Sequence, residues 1–448
     1  MKLRVENLAN IKEAEVEVKN LTLFVGQNST HKSYMAHIIY EFLTLIKEKP
    51  EEKEILFLLF PKSKFLIETI IERRDIKETN RKFTHVIFSF ENKRTDFNNL
   101  INHMYFLINT LFTKLINKSF NNNSNVLEKI FYENNLNLAD LFQENQYEIE
   151  IFNDTKDVDD DLIIYMLLSN ILDKIFLYFK NNLSSYSGIK YFPASRTGFI
   201  LAFDEIVSGL LRDKYKGQSS SARLTKPTID FITNYSDIRS NKLDIKWLSI
   251  FKHDNPDNKK LQTLLIDFLQ RNIIKGSIEE EKLDDNYKNF YLKTKNNTRL
   301  DLHLASSATL ETLPFIVFLK NTEDISKTFF VIEEPEAHLH PKAQIQMAKF
   351  IVLLSNSGAK VLVTTHSDYI LNEINNCIKL DNIEKDNEFA ISKDDVSAYL
   401  FKNEKTKTTV NKLEIDKFGI SNDNFDEVLD ELLDRSDELN ERILNKND

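Results

Sequence analysis

The sequence predicts an α/β protein on a mostly parallel core sheet, with antiparallel strands at its N-terminus and a large helical insertion. Three observations carry this. An apolar run, Leu21-Thr22-Leu23-Phe24-Val25, passes through Gly26 into helical spacing over 33–47. From 307 to 376, apolar stretches of strand length alternate with stretches of helix length. Between these regions, residues 51–185 repeat Leu, Ile and Phe at helical intervals among Lys and Asn. Alternating strands and helices indicate parallel strands joined by crossover helices.

Taken in order, Leu3, Val5 and Leu8, then Ala14, Val16 and Val18, alternate with polar residues as two half-exposed strands do. The run at 21–25 is apolar enough to be buried on both faces. In the insertion, helices are expected near 54–73, 97–119, 125–143 and 160–182, interrupted by a short strand, Val86-Ile87-Phe88-Ser89-Phe90. The Asn-rich 121–125 and the acidic 153–161 read as loops. No heptad pattern is sustained, so a long coiled-coil arm is not expected. Strand-like text resumes at Ile189, and 287–304 reads as a hairpin turning at Asn296-Asn297. Helix 307–320, strand 328–332, helix 341–355, strand 360–364 and helix 367–376 follow. Phe425, Val428, Leu429, Leu432 and Leu433 then share one face of an amphipathic helix over 423–444. The expected organisation is a core of 1–50 and 189–420, an insertion at 51–188 and a C-terminal helix in 421–448.

An apolar content of 42% in 448 residues supports a sizeable core and excludes a disordered chain. A single cysteine, Cys377, excludes an internal disulfide and agrees with a reducing compartment. The start, MKLRVENL, has no signal-like apolar run and no stretch has membrane-span length, so a cytoplasmic protein without membrane contact is expected. Of the net charge of −10, residues 421–448 contribute −7, from ten acids against three bases. The remainder is therefore only −3. That balance lowers the expectation for a dedicated nucleic-acid binder but leaves room for a local basic groove.

Residues 329–341 read Phe-Phe-Val-Ile-Glu-Glu-Pro-Glu-Ala-His-Leu-His-Pro. Ligands of open α/β sheets gather beyond the carboxyl ends of the strands, which is where this spacing puts Glu333 and Glu334. One such acid suits magnesium and the other an attacking water. Gly26-Gln27-Asn28-Ser29-Thr30-His31-Lys32-Ser33 has the spacing of a phosphate loop at both ends, with His31 at the second glycine position. His366 ends the strand 361–365 on the same sheet edge, within reach of a phosphate or a water. Ser306 and Ser307 open the helix at 307, either as an anion site or as ordinary caps. Tyr191-Phe192-Pro193-Ala194-Ser195-Arg196 ends another strand in an arginine, free to reach a phosphate or to pair with an acid.

In their order, these motifs resemble the ABC-type ATPase heads of the SMC, RecF and OLD class, over 1–45 and 189–420. The Glu-Glu-Pro-Glu-x-His-Leu-His-Pro form looks like the compact branch of that class found in many bacterial defence systems. The Tyr-Phe-Pro-Ala-Ser-Arg segment looks like the stand-alone AAA-family ATPases of Septu- and PARIS-type antiphage defence. The resemblance implies ATP and Mg2+ as ligands. Gly26, Asn28, Ser29, Thr30, His31 and Lys32 would hold the phosphates, and Ser33 and Glu333 the metal. Glu334 would be the general base and His366 the switch histidine. Ser306 and Ser307 would be the signature that meets the nucleotide of another subunit, in at least a dimer with ATP between subunits. Glu336, His338 and His340 would line that junction, and Arg196 would face nucleotide or partner. Two departures stand out: His31 replaces a loop glycine, and Ala308 replaces the glycine that follows the signature serines.

The expected function is thus a Mg-dependent, ATP-hydrolysing oligomeric switch controlling a separate effector, a nuclease or toxin encoded nearby. A Toprim nuclease domain of the OLD kind is not expected after His366. One alternative is a nucleotide-gated scaffold with little turnover, motivated by His31 and Ala308. Another is a DNA-end-binding repair ATPase of RecF or SMC type.

Overall fold

In the computed structural model, strand β1 (Lys2–Leu8) pairs antiparallel with β2 (Ile11–Glu17), and β3 (Leu21–Val25) is buried along its whole length. The structure describes residues 1–48, 188–215, 224–240, 256–284, 287–404, 407–421 and 433–439. Tyr186, Thr113 and the backbone of four strands between 71 and 152 are also described. Helix α1 (Lys32–Glu48) follows β3 after the glycine turn.

Within 51–185 the described backbone is almost all strand. β4 (Ile71–Glu78), β5 (Arg81–Ser89) and β7 (Gln146–Phe152) form an antiparallel sheet of their own. β5 contains most of the strand expected at 86–90. The helix expected over 125–143 is corrected: Lys129–Glu133 form β6, which pairs antiparallel with β1. Ile, Phe and Tyr in KIFYE suit a pleated surface better than a helix. The expected helix 97–119 lies outside the described residues except at Thr113. The helix over 160–182 lies wholly outside them, as does 54–73 up to residue 70.

The second half of the chain completes the core. β8 (Gly188–Phe192) leads to helices α2 (Arg196–Leu201), α3 (Phe203–Tyr215), α4 (Lys226–Arg239) and α5 (Pro256–Leu269). A meander of β9 (Gly276–Asp284), β10 (Tyr287–Thr294) and β11 (Arg299–Asp301) follows. Its β10–β11 turn has Asn297 at φ 62, a left-handed position that asparagine tolerates. Next come α6 (Ser307–Lys320), β12 (Thr328–Glu333), α7 (Pro341–Asn356), β13 (Lys360–Thr365) and α8 (Asp368–Asp381), within a few residues of expectation. The chain then adds β14 (Val396–Glu404) and β15 (Lys407–Lys412), then a small hairpin, β16 (Ile415–Asp416) and β17 (Gly419–Ile420). Of the helix expected over 423–444, residues 433–439 are described; they are helical, with Leu433 and Leu439 exposed.

One nine-stranded sheet, ordered β6-β1-β2-β15-β14-β3-β13-β12-β8, unites these parts. Strands β14, β3, β13, β12 and β8 run parallel, which fixes where the chemistry lies. In register, Val25 pairs with Thr365 and Glu333 with Thr364, so β3, β12 and β13 end level. Helix α6 is apolar all round and buried from Thr309 to Leu319, with Phe315 stacked on Phe192 of β8 at 4.5 Å. Among the described residues, no helix is long and apolar enough to cross a membrane.

Candidate active site

The loop leaving β3 takes its shape from backbone torsions. Gly26 has φ +138, and a Cβ there would stand 2.2 Å from the Phe401 carbonyl oxygen of β14. Ser29 and His31 are both left-handed, at φ 61 and 67. His31 therefore keeps the backbone form that a glycine would supply, against a local cost of about 1–2 kcal/mol. Its imidazole is tied sideways, with Nδ1 3.1 Å from the Thr408 hydroxyl of β15. That hydroxyl donates to Asn403 Oδ1 at 2.8 Å, and Asn403 Nδ2 donates to the Ser29 carbonyl at 3.3 Å. With the Thr408 proton spent on Asn403, His31 donates from Nδ1. Burial holds the His31 pKa below the ordinary histidine value.

The Lys32 ammonium is buried beneath the loop. It donates to Gly26 O at 2.8 Å, Gln27 O at 2.7 Å and Thr30 Oγ1 at 3.3 Å. Thr30 in turn donates to Gln27 O, so its hydroxyl serves the loop while Asn28 and Ser29 are exposed. Burial lowers the Lys32 pKa, and the charges of Glu334 and Glu336 oppose that shift. The lysine and the two acids thus share one electrostatic environment. Ser33 sits half-buried in the first turn of α1.

Beyond β12, the backbone of Glu334 is left-handed at φ 41, and its N–H donates to the Thr364 carbonyl at 2.9 Å. Its side chain is one-third exposed, with Oε1 4.0 Å from His366 Nδ1. Glu333 is buried, 3.6 Å from His37 Nε2, with Oε1 lacking a hydrogen-bond partner. Glu336 corrects an expectation. Far from lining an outer junction, it is 5% exposed and accepts from the Thr365 hydroxyl and the His366 N–H, each at 2.8 Å. His366 Nδ1 lies 3.4 Å from the same oxygen, so Glu336 fixes the histidine. His338 and His340 are exposed, and His340 caps α7 by accepting from Lys342 N.

Arg196 is the second correction. It is 0% exposed and turned inward, away from solvent. Its Nε lies 2.7 Å from Glu311 Oε2, and its other donors go to the carbonyls of Pro193, Glu333 and Glu334. Ser306 and Ser307 are exposed at the start of α6. Ser306 caps that helix, accepting from Thr309 N, and neither serine hydrogen-bonds to the phosphate loop. Sequence reasoning missed His37, Glu311, Asn403 and Thr408. Only His37 left a trace, four residues after Ser33 and hence on the same helix face.

A family model described as an AAA ATPase domain matches residues 1–371. The chain belongs to that family and is an ATPase. Solved structures similar to this ATPase include an SMC head bound to the C-winged helix domain of ScpA, at 12% identity. That match covers 93% of this chain and 98% of the other, with a TM-score of 0.38. A second is an SMC head with an extended coiled coil, bound to the C-terminal domain of ScpA derived from Pyrococcus furiosus. It shares 10% identity over 96% and 98% of the two chains, with a TM-score of 0.36. A third is the SMC head domain from Thermotoga maritima, at 8% identity, 92% and 98% coverage and a TM-score of 0.33. No curated protein matches the chain.

His31→Gly in this ATPase is expected to leave the fold intact and to change ATP affinity less than about fivefold, because glycine adopts the same torsion without strain. Titration with a fluorescent ATP analogue reads this directly. A tenfold loss would give the imidazole a part in ATP binding, as a phosphate ligand or through its tie to Thr408.

Proposed function

We propose that this ATPase is a nucleotide-driven switch that pairs around ATP and governs a separate effector, a nuclease or toxin, in antiphage defence of the Septu or PARIS type. The observation that carries the reading is that β3, β12 and β13 end level, which gathers Lys32, Glu334, Glu336 and His366 at one edge of the sheet. Backbone N–H groups from Gly26 to His31 cradle the phosphates. Lys32 exchanges its loop acceptors for the β- and γ-phosphates. Glu334 takes a proton from water as the water oxygen bonds to the γ-phosphorus and the bond to ADP breaks, giving ADP and phosphate. His366, fixed by Glu336, contacts the γ-phosphate.

The residues fit magnesium. Glu333 Oε1 is a buried carboxylate oxygen without a hydrogen-bond partner, and with the Ser33 hydroxyl it offers the hard oxygen donors that Mg2+ prefers. Among the described residues no cluster of three His, Cys, Asp or Glu is arranged for a metal. When bound, the ion neutralises charge on the phosphates. Ser306 and Ser307, exposed at the start of α6, complete the site of a second copy, and His338 and His340 lie along the same junction. The core of 1–50 and 189–420 does this work.

Light scattering tests the pairing. With ATP and Mg2+ the mass is expected to rise to about twice the nucleotide-free value, as for a two-fold dimer. An unchanged mass at saturating ATP would remove the pairing. Mass spectrometry of proteins copurifying from the native operon is expected to find a nuclease or toxin; a clean homo-oligomer would overturn effector control.

A further inference from the structure

We infer that Arg196 is a positioning residue that couples the start of α6 to the backbone of Glu334. The inference rests on the reading of Glu334 as the base. A guanidinium at 0% exposure is costly unless every side of it is answered. Here Nε meets Glu311 Oε2 at 2.7 Å and the Glu311 carbonyl at 3.2 Å. Nη1 donates to Pro193 O at 3.2 Å and Glu333 O at 2.8 Å, and Nη2 to Glu334 O at 3.2 Å. One side chain therefore grips the end of β8, the α6 helix and both carboxylate-bearing residues.

Glu311 completes the link. It is itself fully buried in the second turn of α6, just beyond Ser306 and Ser307. Its Oε1 accepts from Thr197 Oγ1 at 2.6 Å and lies 3.9 Å from His338 Nε2. Burial pushes the Glu311 carboxyl upward, and the charge of Arg196 pulls it back. A displacement of α6 on engaging a second copy thus reaches Glu334 through the Arg196 side chain, which donates to the Glu311 carbonyl on one side and to the Glu334 carbonyl on the other.

The grip matters because Glu334 is strained. A left-handed glutamate persists only where its surroundings impose it. The Thr364 carbonyl holds its N–H and Arg196 holds its carbonyl, so the peptides on both sides are fixed. Stability alone does not require this pair, since buried ion pairs are commonly replaceable by apolar residues at little cost. Lysine, lacking the planar fork, cannot reach the same set of carbonyls.

The test compares kcat, KM for ATP and ATP-dependent self-association in Arg196→Lys, Thr197→Val and the double variant Arg196→Met/Glu311→Leu, with Glu334→Gln alongside. The double variant removes both charges together, so it is expected to fold. Its kcat should fall at least tenfold while KM and self-association change less than threefold. Arg196→Lys should fall similarly and Thr197→Val by a few-fold. If the double variant does not fold, Arg196→Lys and Thr197→Val decide by the same criterion. A kcat within threefold of wild type while Glu334→Gln is inactive would overturn the coupling, as would parallel losses of kcat and ATP binding. Turnover retained in Glu334→Gln would instead remove the assignment of the base on which the coupling rests.

Discussion

Glu334→Gln is expected to lower ATP turnover by at least about 100-fold, the range of a lost general base, while ATP binding stays near wild type. Glutamine is isosteric, so it keeps the volume at the strand end and leaves the backbone bonds to Thr364 and Arg196 untouched. What it removes is the capacity to accept a proton. Glu336 is the poorer candidate, because it is 5% exposed where Glu334 is one-third exposed, and its Oε1 holds Thr365 and the His366 N–H. Phosphate release under saturating ATP measures turnover, and equilibrium titration measures binding. A variant rate within threefold of wild type would reject Glu334 as the base. If Glu336→Gln alone proved inactive, the two acids would exchange roles.

Gly26→Ala carries the second large effect. The added methyl would lie 2.2 Å from the Phe401 carbonyl oxygen, a distance no real Cβ contact reaches, on a backbone at φ +138 that side chains avoid. Either the loop moves away from β14 or β14 separates from β3, and each costs more than the roughly 1–3 kcal/mol of ordinary backbone strain. Because the Lys32 ammonium is anchored on the Gly26 and Gln27 carbonyls, a displaced loop also misplaces the lysine. ATP affinity is expected to fall more than tenfold. In thermal unfolding, the upward shift in Tm that ATP gives the wild type should be clearly smaller in the variant at the same ATP concentration. An equal ATP-induced shift in both proteins would contradict this.

The parts of the fold legible in sequence were those with a local signature. The segment from Ser307 to Asp381 shows its periods and caps directly, and its elements start and stop within a few residues of expectation. The strands β14 and β15 were not expected, although Val396-Ser397-Ala398-Tyr399-Leu400-Phe401 is an apolar run. Their pairing partners, β3 and β2, lie at the other end of the chain, and no local pattern announces a partner. Lys129–Glu133 was misread as helix for a related reason, since its strand character depends on pairing with β1.

For the site, residue type and spacing placed Lys32, Glu334 and His366 on one edge, because parallel strands end together. The fate of a charge was harder to read. An arginine after a strand looks the same whether it faces solvent or is sealed against Glu311, and burial belongs to the packed molecule. The same holds for Glu336, which its motif alone would put beside the exposed His338.

The place of β14 in the sheet also sets a schedule. The phosphate loop is made long before the strand against which Gly26 lies and the Asn403 and Thr408 that tether it. At about 5–20 residues per second, the nascent loop waits roughly 20–80 seconds on the ribosome for its own wall. Until that wall arrives the chain holds a nucleotide motif without its finished site, so ATP cannot be loaded before β14 and β15 are made.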